Sequence, residues 1–212
     1  MAITPTSVTF RNYANGFLHT RAVTLVVDPP RIARFPLDSD PGWSREGEWA
    51  FGTPAGQGGG GPKFHPDPRA GATGKNVFGV NLDSDYSTTP GGPFYLTTGA
   101  IDLTNYEDTR VRFQRWLNSA QRVNVVVKVS PDGKAWTQVF DNVIAEVADD
   151  SWRMVEYDIS AVADGQSTVF IRWGYRVQPN AAPASGWNID DVEILGVPRQ
   201  KKPPYRPVPA RE

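Results

Sequence analysis

Apolar side chains recur at every second position through most of this chain. Val123, Val125, Val127 and Val129 alternate with Arg122, Asn124, Val126 and Lys128. Val111, Phe113, Arg115 and Leu117 alternate with Arg110, Arg112, Gln114 and Trp116. The same alternation sets Val155, Tyr157 and Ile159 against Glu156 and Asp158, and Val169, Ile171, Trp173 and Tyr175 against Phe170, Arg172 and Arg176. Successive side chains of a strand point to opposite faces, so a period of two predicts strands with one buried face. Further strands are predicted at 22–27, 49–52, 76–82, 94–97, 135–140 and 187–195. No long stretch carries a helical stripe, and 158–165 has room for one short helical turn.

Many short strands separated by Gly, Pro, Asp and Asn predict an all-β fold of two antiparallel sheets packed face to face. Pro131-Asp132-Gly133 falls between two strands and reads as a hairpin turn. The segment 53–75 is a long loop containing four consecutive glycines and His65-Pro66-Asp67-Pro68. Loops of that length are commonly functional, or ordered by a ligand or by packing. Boundaries are expected after Asp28-Pro29-Pro30 and near Pro198. They divide the chain into an N-terminal extension contributing a strand (1–30), a sandwich domain (31–197) and a Pro-rich basic tail (198–212) that reads as a solvated linker.

Composition narrows the function classes. The chain has 212 residues with 20 Gly, 19 Pro and no Cys. Zero Cys excludes a disulfide framework, Cys-ligated zinc and a thiol nucleophile. Seven Trp, seven Tyr and ten Phe supply ample core. The 22 basic and 23 acidic side chains leave a net charge of -1, too little to steer nucleic acid or an anionic membrane. No apolar run is long enough for a bilayer span, so no membrane insertion is expected. Met1-Ala2-Ile3-Thr4-Pro5 lacks the basic and apolar regions of a signal peptide; the expectation is a module cut from a larger extracellular protein. His19 and His65 are the only histidines and sit in unrelated contexts. Neither H-E-x-x-H nor G-x-S-x-G occurs, and no strand shows the alternating acids of a glycosidase cleft. A noncatalytic role is expected. A polysaccharide-active enzyme using Tyr, Arg and Lys on a sheet is the lesser alternative.

The acidic residues fall into clusters: Asp38-Ser39-Asp40, then Asn81, Asp83 and Asp85, then Asp190-Asp191. Hard oxygen ligands from separate segments suit Ca²⁺. An EF-hand is excluded, because Ser87-Thr88-Thr89-Pro90 follows Asp85 and Tyr86 with no Gly or Glu at the required loop positions. In the last strand, Trp187 and Ile189 share one parity and Val192 and Ile194 the other. Burying all of them requires a bulge, with Asp190-Asp191 at the break, and a buried carboxylate there needs a partner or a metal. Surface charge or turn capping is the plain alternative. Arg115 shares the inward parity of Phe113 and Leu117, so it needs an acid, with Asp191 and Asp85 as candidates, or a bulge at Arg115-Trp116. Trp116, Arg112 and Gln114 share the outward parity; they suit a sugar ring, or lie beneath the Gly-rich loop.

A family resemblance builds on these segments. Its residues are Phe35-Pro36-Leu37-Asp38-Ser39-Asp40-Pro41-Gly42-Trp43, Glu48-Trp49-Ala50-Phe51-Gly52, Asn76-Val77-Phe78-Gly79-Val80-Asn81 with Asp85-Tyr86, and Arg112-Phe113-Gln114-Arg115-Trp116-Leu117. They continue through Val129-Ser130-Pro131-Asp132-Gly133, Tyr157-Asp158-Ile159-Ser160 and Ile171-Arg172-Trp173 to Gly186-Trp187-Asn188-Ile189-Asp190-Asp191-Val192-Glu193-Ile194. In this order they resemble the MAM-like, carbohydrate-binding-module-like jelly rolls appended to secreted bacterial proteins such as metallopeptidases. The resemblance implies a jelly-roll β-sandwich of galactose-binding-like type without catalysis. It also implies carbohydrate, cell-surface or neighbouring-domain recognition, and a structural calcium ion. It assigns Asp38 and Asp190 as the leading calcium ligands, with Asp40, Asp85 and Asp191 behind them. Eukaryotic MAM domains carry cysteines and this chain has none.

Overall fold

The computed structural model describes residues 7–14, 17–24, 29–60 and 63–199. Strands β1 (Ser7–Ala14) and β2 (Phe17–Thr24) form a separate antiparallel ladder from Ser7 opposite Thr24 to Ala14 opposite Phe17. The strand expected at 22–27 overlaps β2 at 22–24, with residues 25–27 outside the described residues, and the hairpin has a first arm that the sequence pattern did not mark. Most of the expected tail, residues 200–212, lies outside the described residues.

The sandwich begins with β3 (Arg31–Phe35), β4 (Ser44–Arg45), β5 (Trp49–Gly52), β6 (Val77–Val80) and β7 (Gly91–Thr97). It continues with β8 (Tyr106–Ser119), β9 (Val123–Ser130), β10 (Thr137–Asp141), β11 (Val147–Ala148) and β12 (Arg153–Asp158). A single helical turn α1 (Ser160–Ala163) precedes β13 (Phe170–Val177) and β14 (Gly186–Pro198). One sheet has five strands in the order β10-β9-β13-β7-β4. The other has seven: β11-β8-β14-β6-β5, with β12 also on β8 and β3 also on β14. Every pairing is antiparallel. The fold is the expected two-sheet jelly-roll sandwich. β3, β4 and β11 were not expected; two of them span only two residues, too few to show a period.

The alternation does what it predicted. Val123, Val125, Val127 and Val129 of β9 face Ile171, Trp173 and Tyr175 of β13 inside the core. The sheets meet through a column of rings. Trp43, just before β4, stacks on Phe78 of β6 at 5.2 Å and 8°. Its other side stacks near Trp173 at 5.6 Å and 12°. Phe113 of β8 then meets Trp173 edge-on at 5.4 Å. Such pairs add to the large apolar area that each ring buries.

The break in β14 is a bulge. Its register against β8 shifts between Asp190 and Glu193, and Asp191 adopts φ 45°. Trp187, Ile189, Val192 and Ile194 are all buried as a result, and so is Asp190. Arg115 takes a different partner from those expected. Its Nε and Nη2 donate to the buried Asp149 at 2.9 and 3.0 Å, while Asp191 and Asp85 lie elsewhere. Asp149 arrives on the β11–β12 connection, and sequence parity alone does not bring that segment alongside β8.

Trp43→Ala removes the ring that fills the space between the sheets. A loss of about 3–5 kcal/mol in unfolding free energy is expected by urea denaturation, and a loss below about 1 kcal/mol would show that the column does not join the sheets.

Candidate functional site

The outer face of the seven-stranded sheet is roofed by the Gly-rich loop. Trp116 donates its indole N–H to the Pro66 carbonyl at 3.1 Å and meets Trp152 edge-on at 5.9 Å. Arg112 pairs with Glu156 at 2.7 Å. Gln114 is half-buried and lies with Arg112 in a polar cleft beside Arg34 and Asp191. Trp116 is therefore held beneath the loop, and these three side chains do not share one open platform.

The loop is tied down by side chains. The backbone N–H of His65 donates to Asn118 Oδ1 at 2.9 Å, and Ser185 donates to the His65 carbonyl at 2.9 Å. Asp85 accepts the Gly59 N–H at 2.6 Å. Within the roof, Asn188 Nδ2 donates to Asp67 Oδ1 at 2.6 Å. Both residues are buried, and Asp67 Oδ2 and Asn188 Oδ1 have no donor. Burial pushes the Asp67 carboxyl up to about 8 against the hydrogen bonds from Asn188 and Ser185, with nearby Asp85 adding to the rise. A protonated Asp67 carries a hydroxyl that can donate from this buried site, where an ionised carboxylate would only accept.

The acidic residues separate into different jobs. Asp190 Oδ2 accepts the Thr73 N–H at 3.0 Å, and its Oδ1 accepts the Asp191 N–H at 2.8 Å. Burial pushes the Asp190 carboxyl up to about 6 against these hydrogen bonds. A Cβ built on Gly71 would sit 2.5 Å from Asp190 Oδ2 and 3.0 Å from the Asn76 carbonyl, and would also press on the Thr73 carbonyl. A Cβ on Gly74 would press on Asp38 Oδ1, and Asn76 Nδ2 holds the Asp38 carbonyl at 3.1 Å. Gly71 thus keeps open an oxygen-lined cradle of the Thr73 and Asn76 carbonyls and Asp190 Oδ2, and Gly74 leaves room beside Asp38 Oδ1. Asp191 lies on its rim, bonded to Thr73 Oγ1 at 3.0 Å and to Arg34 at 3.3 Å. Asp40 is apart, capping Gly42 at 2.8 Å and pairing with Arg45 at 3.2 Å. Asp85 is the loop anchor described above. Among the described residues no group of three His, Cys, Asp or Glu side chains is placed to hold a metal ion, so the cradle depends on carbonyl oxygens that sequence reading cannot count.

The five-stranded sheet leaves its outer face open. In register across it run Gln138 opposite Lys128, Lys128 opposite Arg172, Arg172 opposite Thr97, and Thr97 opposite Ser44. Four strand spacings make this polar row about 19 Å long. Tyr95 of β7 lies across Gly174, where an added Cβ would sit 2.5 Å from its Cε1. The Arg172 guanidinium is held between the Tyr95 and Trp136 rings, 3.7 and 3.8 Å from their centroids. Strand parity had marked Arg172 and Lys128 as outward. Their convergence depends on cross-strand register, which the hydrophobic pattern does not reveal.

No protein-family model and no curated protein matches the chain. Among solved structures, the CBM22-1 xylan-binding domain from Paenibacillus barcinonensis Xyn10C is 12% identical, covers 83% of this chain and 100% of its own, and superposes with a TM-score of 0.47. The carbohydrate-binding module CBM6cm-2 of Cellvibrio mixtus lichenase 5A, in complex with cellotriose, is 13% identical over 79% of this chain and 99% of that one, with a TM-score of 0.44. The K1 cleaved adhesin domain of Lys-gingipain from Porphyromonas gingivalis is 16% identical over 77% and 97%, with a TM-score of 0.43. At these levels the likeness names neither a family nor a ligand for this chain. No helix among the described residues is long and apolar enough to cross a membrane.

The Asp67–Asn188 pair has a pH signature. The folded-state pKa of about 8 lies above the ordinary aspartate value of 3.8, so near neutral pH the folded chain holds a proton that the unfolded chain has released. Stability contributed by this group is full below about pH 4 and is lost as pH rises toward about 8. Asp67→Asn keeps a donor facing Asn188 without a titrating group. The variant is expected to lose that slope and to gain on the order of 3 kcal/mol over the parent at pH 7. Equal slopes in urea unfolding of the two proteins between pH 5 and pH 8 would contradict a buried neutral carboxyl.

Proposed function

We propose that this chain is a noncatalytic accessory module of a secreted protein that binds carbohydrate on the outer face of the five-stranded sheet. The observation that carries this reading is the in-register polar row flanked by Tyr95 and Trp136. Hydroxyl-rich ligands need donors and acceptors at regular intervals, with aromatic surface to meet their C–H faces. Gln138, Lys128, Arg172, Thr97 and Ser44 offer the former along one line, and Tyr95 and Trp136 the latter. Both rings are half-buried and keep exposed surface. On the opposite sheet, Arg112 is paired with Glu156 and Trp116 is bonded to Pro66 of the overlying loop, so we place the ligand on this face and not on Trp116, Arg112 and Gln114.

The reading includes a structural Ca²⁺ in the cradle, held by Asp190 and Asp38 with the Thr73 and Asn76 carbonyls. Those are hard oxygen donors from separate segments, the set that Ca²⁺ accepts. The ion would neutralise the buried Asp190 and fasten residues 71–76 to β14. It has no part in ligand chemistry on the other sheet.

Affinity electrophoresis of the full chain through gels of neutral and acidic polysaccharides tests the first part. Retardation is expected, with a loss of about tenfold or more in affinity for Tyr95→Ala and for Trp136→Ala. Free migration through every polysaccharide would contradict it. For the metal, EDTA is expected to lower the melting temperature and Ca²⁺ to restore it, with no such difference in Asp190→Asn. An unchanged melting temperature in EDTA would remove the ion from the account.

A further inference from the structure

We infer that the glycan this face accepts is an acidic one, whose carboxylate is taken by the guanidinium edge of Arg172 with Lys128 beside it. The inference rests on the carbohydrate-binding reading and specifies its ligand class.

The first observation is a pair of neighbouring cations without an ion-pair partner. Arg172 and Lys128 are direct cross-strand partners on the same face. Like charges placed opposite one another destabilise a sheet. Neither forms an ion pair or hydrogen bond among the described residues, and Arg172 Nε is buried without a partner. This is unlike the other sheet, where Arg31, Arg34, Arg110, Arg112, Arg115 and Arg153 each pair with a carboxylate. Of the nearby acids, Glu46 acts on Arg172 through its charge without forming an ion pair with it. Glu46 accepts the Tyr95 N–H at 3.1 Å, and Asp141 accepts from Asn124 at 2.5 Å and from Gln138 at 3.0 Å.

The second observation is orientation. Stacking between Tyr95 and Trp136 uses both faces of the guanidinium. Only its N–H edge remains for a ligand. A fixed planar fork of donors matches a carboxylate in bidentate fashion, and holding it beforehand removes the cost of ordering a long side chain on binding. The same stack engages one face of each ring, so a neutral sugar finds less of the ring face than a bare aromatic platform would give it. Partial burial also depresses the Arg172 pKa while leaving it charged.

The test compares binding of the full chain to polygalacturonate, to the same polymer after carboxyl reduction, to dextran sulfate and to polyglutamate. The parent is expected to bind polygalacturonate about tenfold or more tightly than the reduced polymer, to weaken as salt rises, and to bind dextran sulfate and polyglutamate more weakly. Arg172→Gln should lose the preference for the acidic polymer. Arg172→Lys, which keeps the charge and loses the fork, should recover only part of it. Lys128→Gln, an exposed-face change, provides a second reading should Arg172 variants unfold, and should weaken polygalacturonate binding several-fold. Equal binding of the reduced polymer would overturn the inference while leaving carbohydrate binding intact. Tighter binding of dextran sulfate or polyglutamate, or an unchanged preference in Arg172→Gln and Lys128→Gln, would also overturn it. Failure of all sugars to bind would remove the carbohydrate reading itself.

Discussion

Trp43 is wedged between Phe78 of one sheet and Trp173 of the other, and the placement of both outer faces follows from that contact. A ring stacked on both sides holds the sheets at a fixed separation and commits Trp173 to the interior. Because strand side chains alternate, an inward Trp173 leaves Arg172 and Gly174 outward. Gly174 has no side chain, so Tyr95 can lie flat across it, and Arg172 is trapped between Tyr95 and Trp136. A charged group on the surface is thus aimed by an aromatic group in the core.

The two outer faces have opposite fates for a reason visible in β14. Its bulge turns Asp190 toward residues 71–76, and Asn188 presents its amide to Asp67. Both contacts draw the Gly-rich segment onto the seven-stranded sheet. Trp116 is covered in consequence. On the five-stranded sheet Arg172 is instead sandwiched by Tyr95 and Trp136, and among the described residues neither it nor Lys128 forms an ion pair.

Much of this was legible in the sequence. The alternations along β8, β9, β12 and β13 defined a sandwich, and the parity change between Ile189 and Val192 located the bulge and its buried acid. Asp38 and Asp190 were singled out; Asp190 borders the cradle at Gly71 and Asp38 lies beside Gly74. Asp40 and Asp85, ranked behind them, stayed candidates because spacing does not tell a turn cap or a loop anchor from a metal ligand. Trp116 read correctly as outward, yet its bond to Pro66 depends on where a 23-residue segment returns, which no local period encodes. The polar row was hidden for a related reason. Ser44, Thr97, Lys128, Gln138 and Arg172 come from separate strands, and only the register of the ladder aligns them. Arg115 showed its need for an acid, but the supplier, Asp149, sits on an irregular connection.

The most direct measurement is a ¹H–¹⁵N spectrum of the indole and arginine side chains during titration with an oligogalacturonate. The chain carries seven Trp, each with one indole N–H. The account expects the Arg172 Nε–H and Trp136 indole signals to move with ligand, and the Trp116 indole, on the opposite sheet, to stay in place. Movement of Trp116 with Arg172 and Trp136 unchanged would place the ligand on the other sheet and contradict the account.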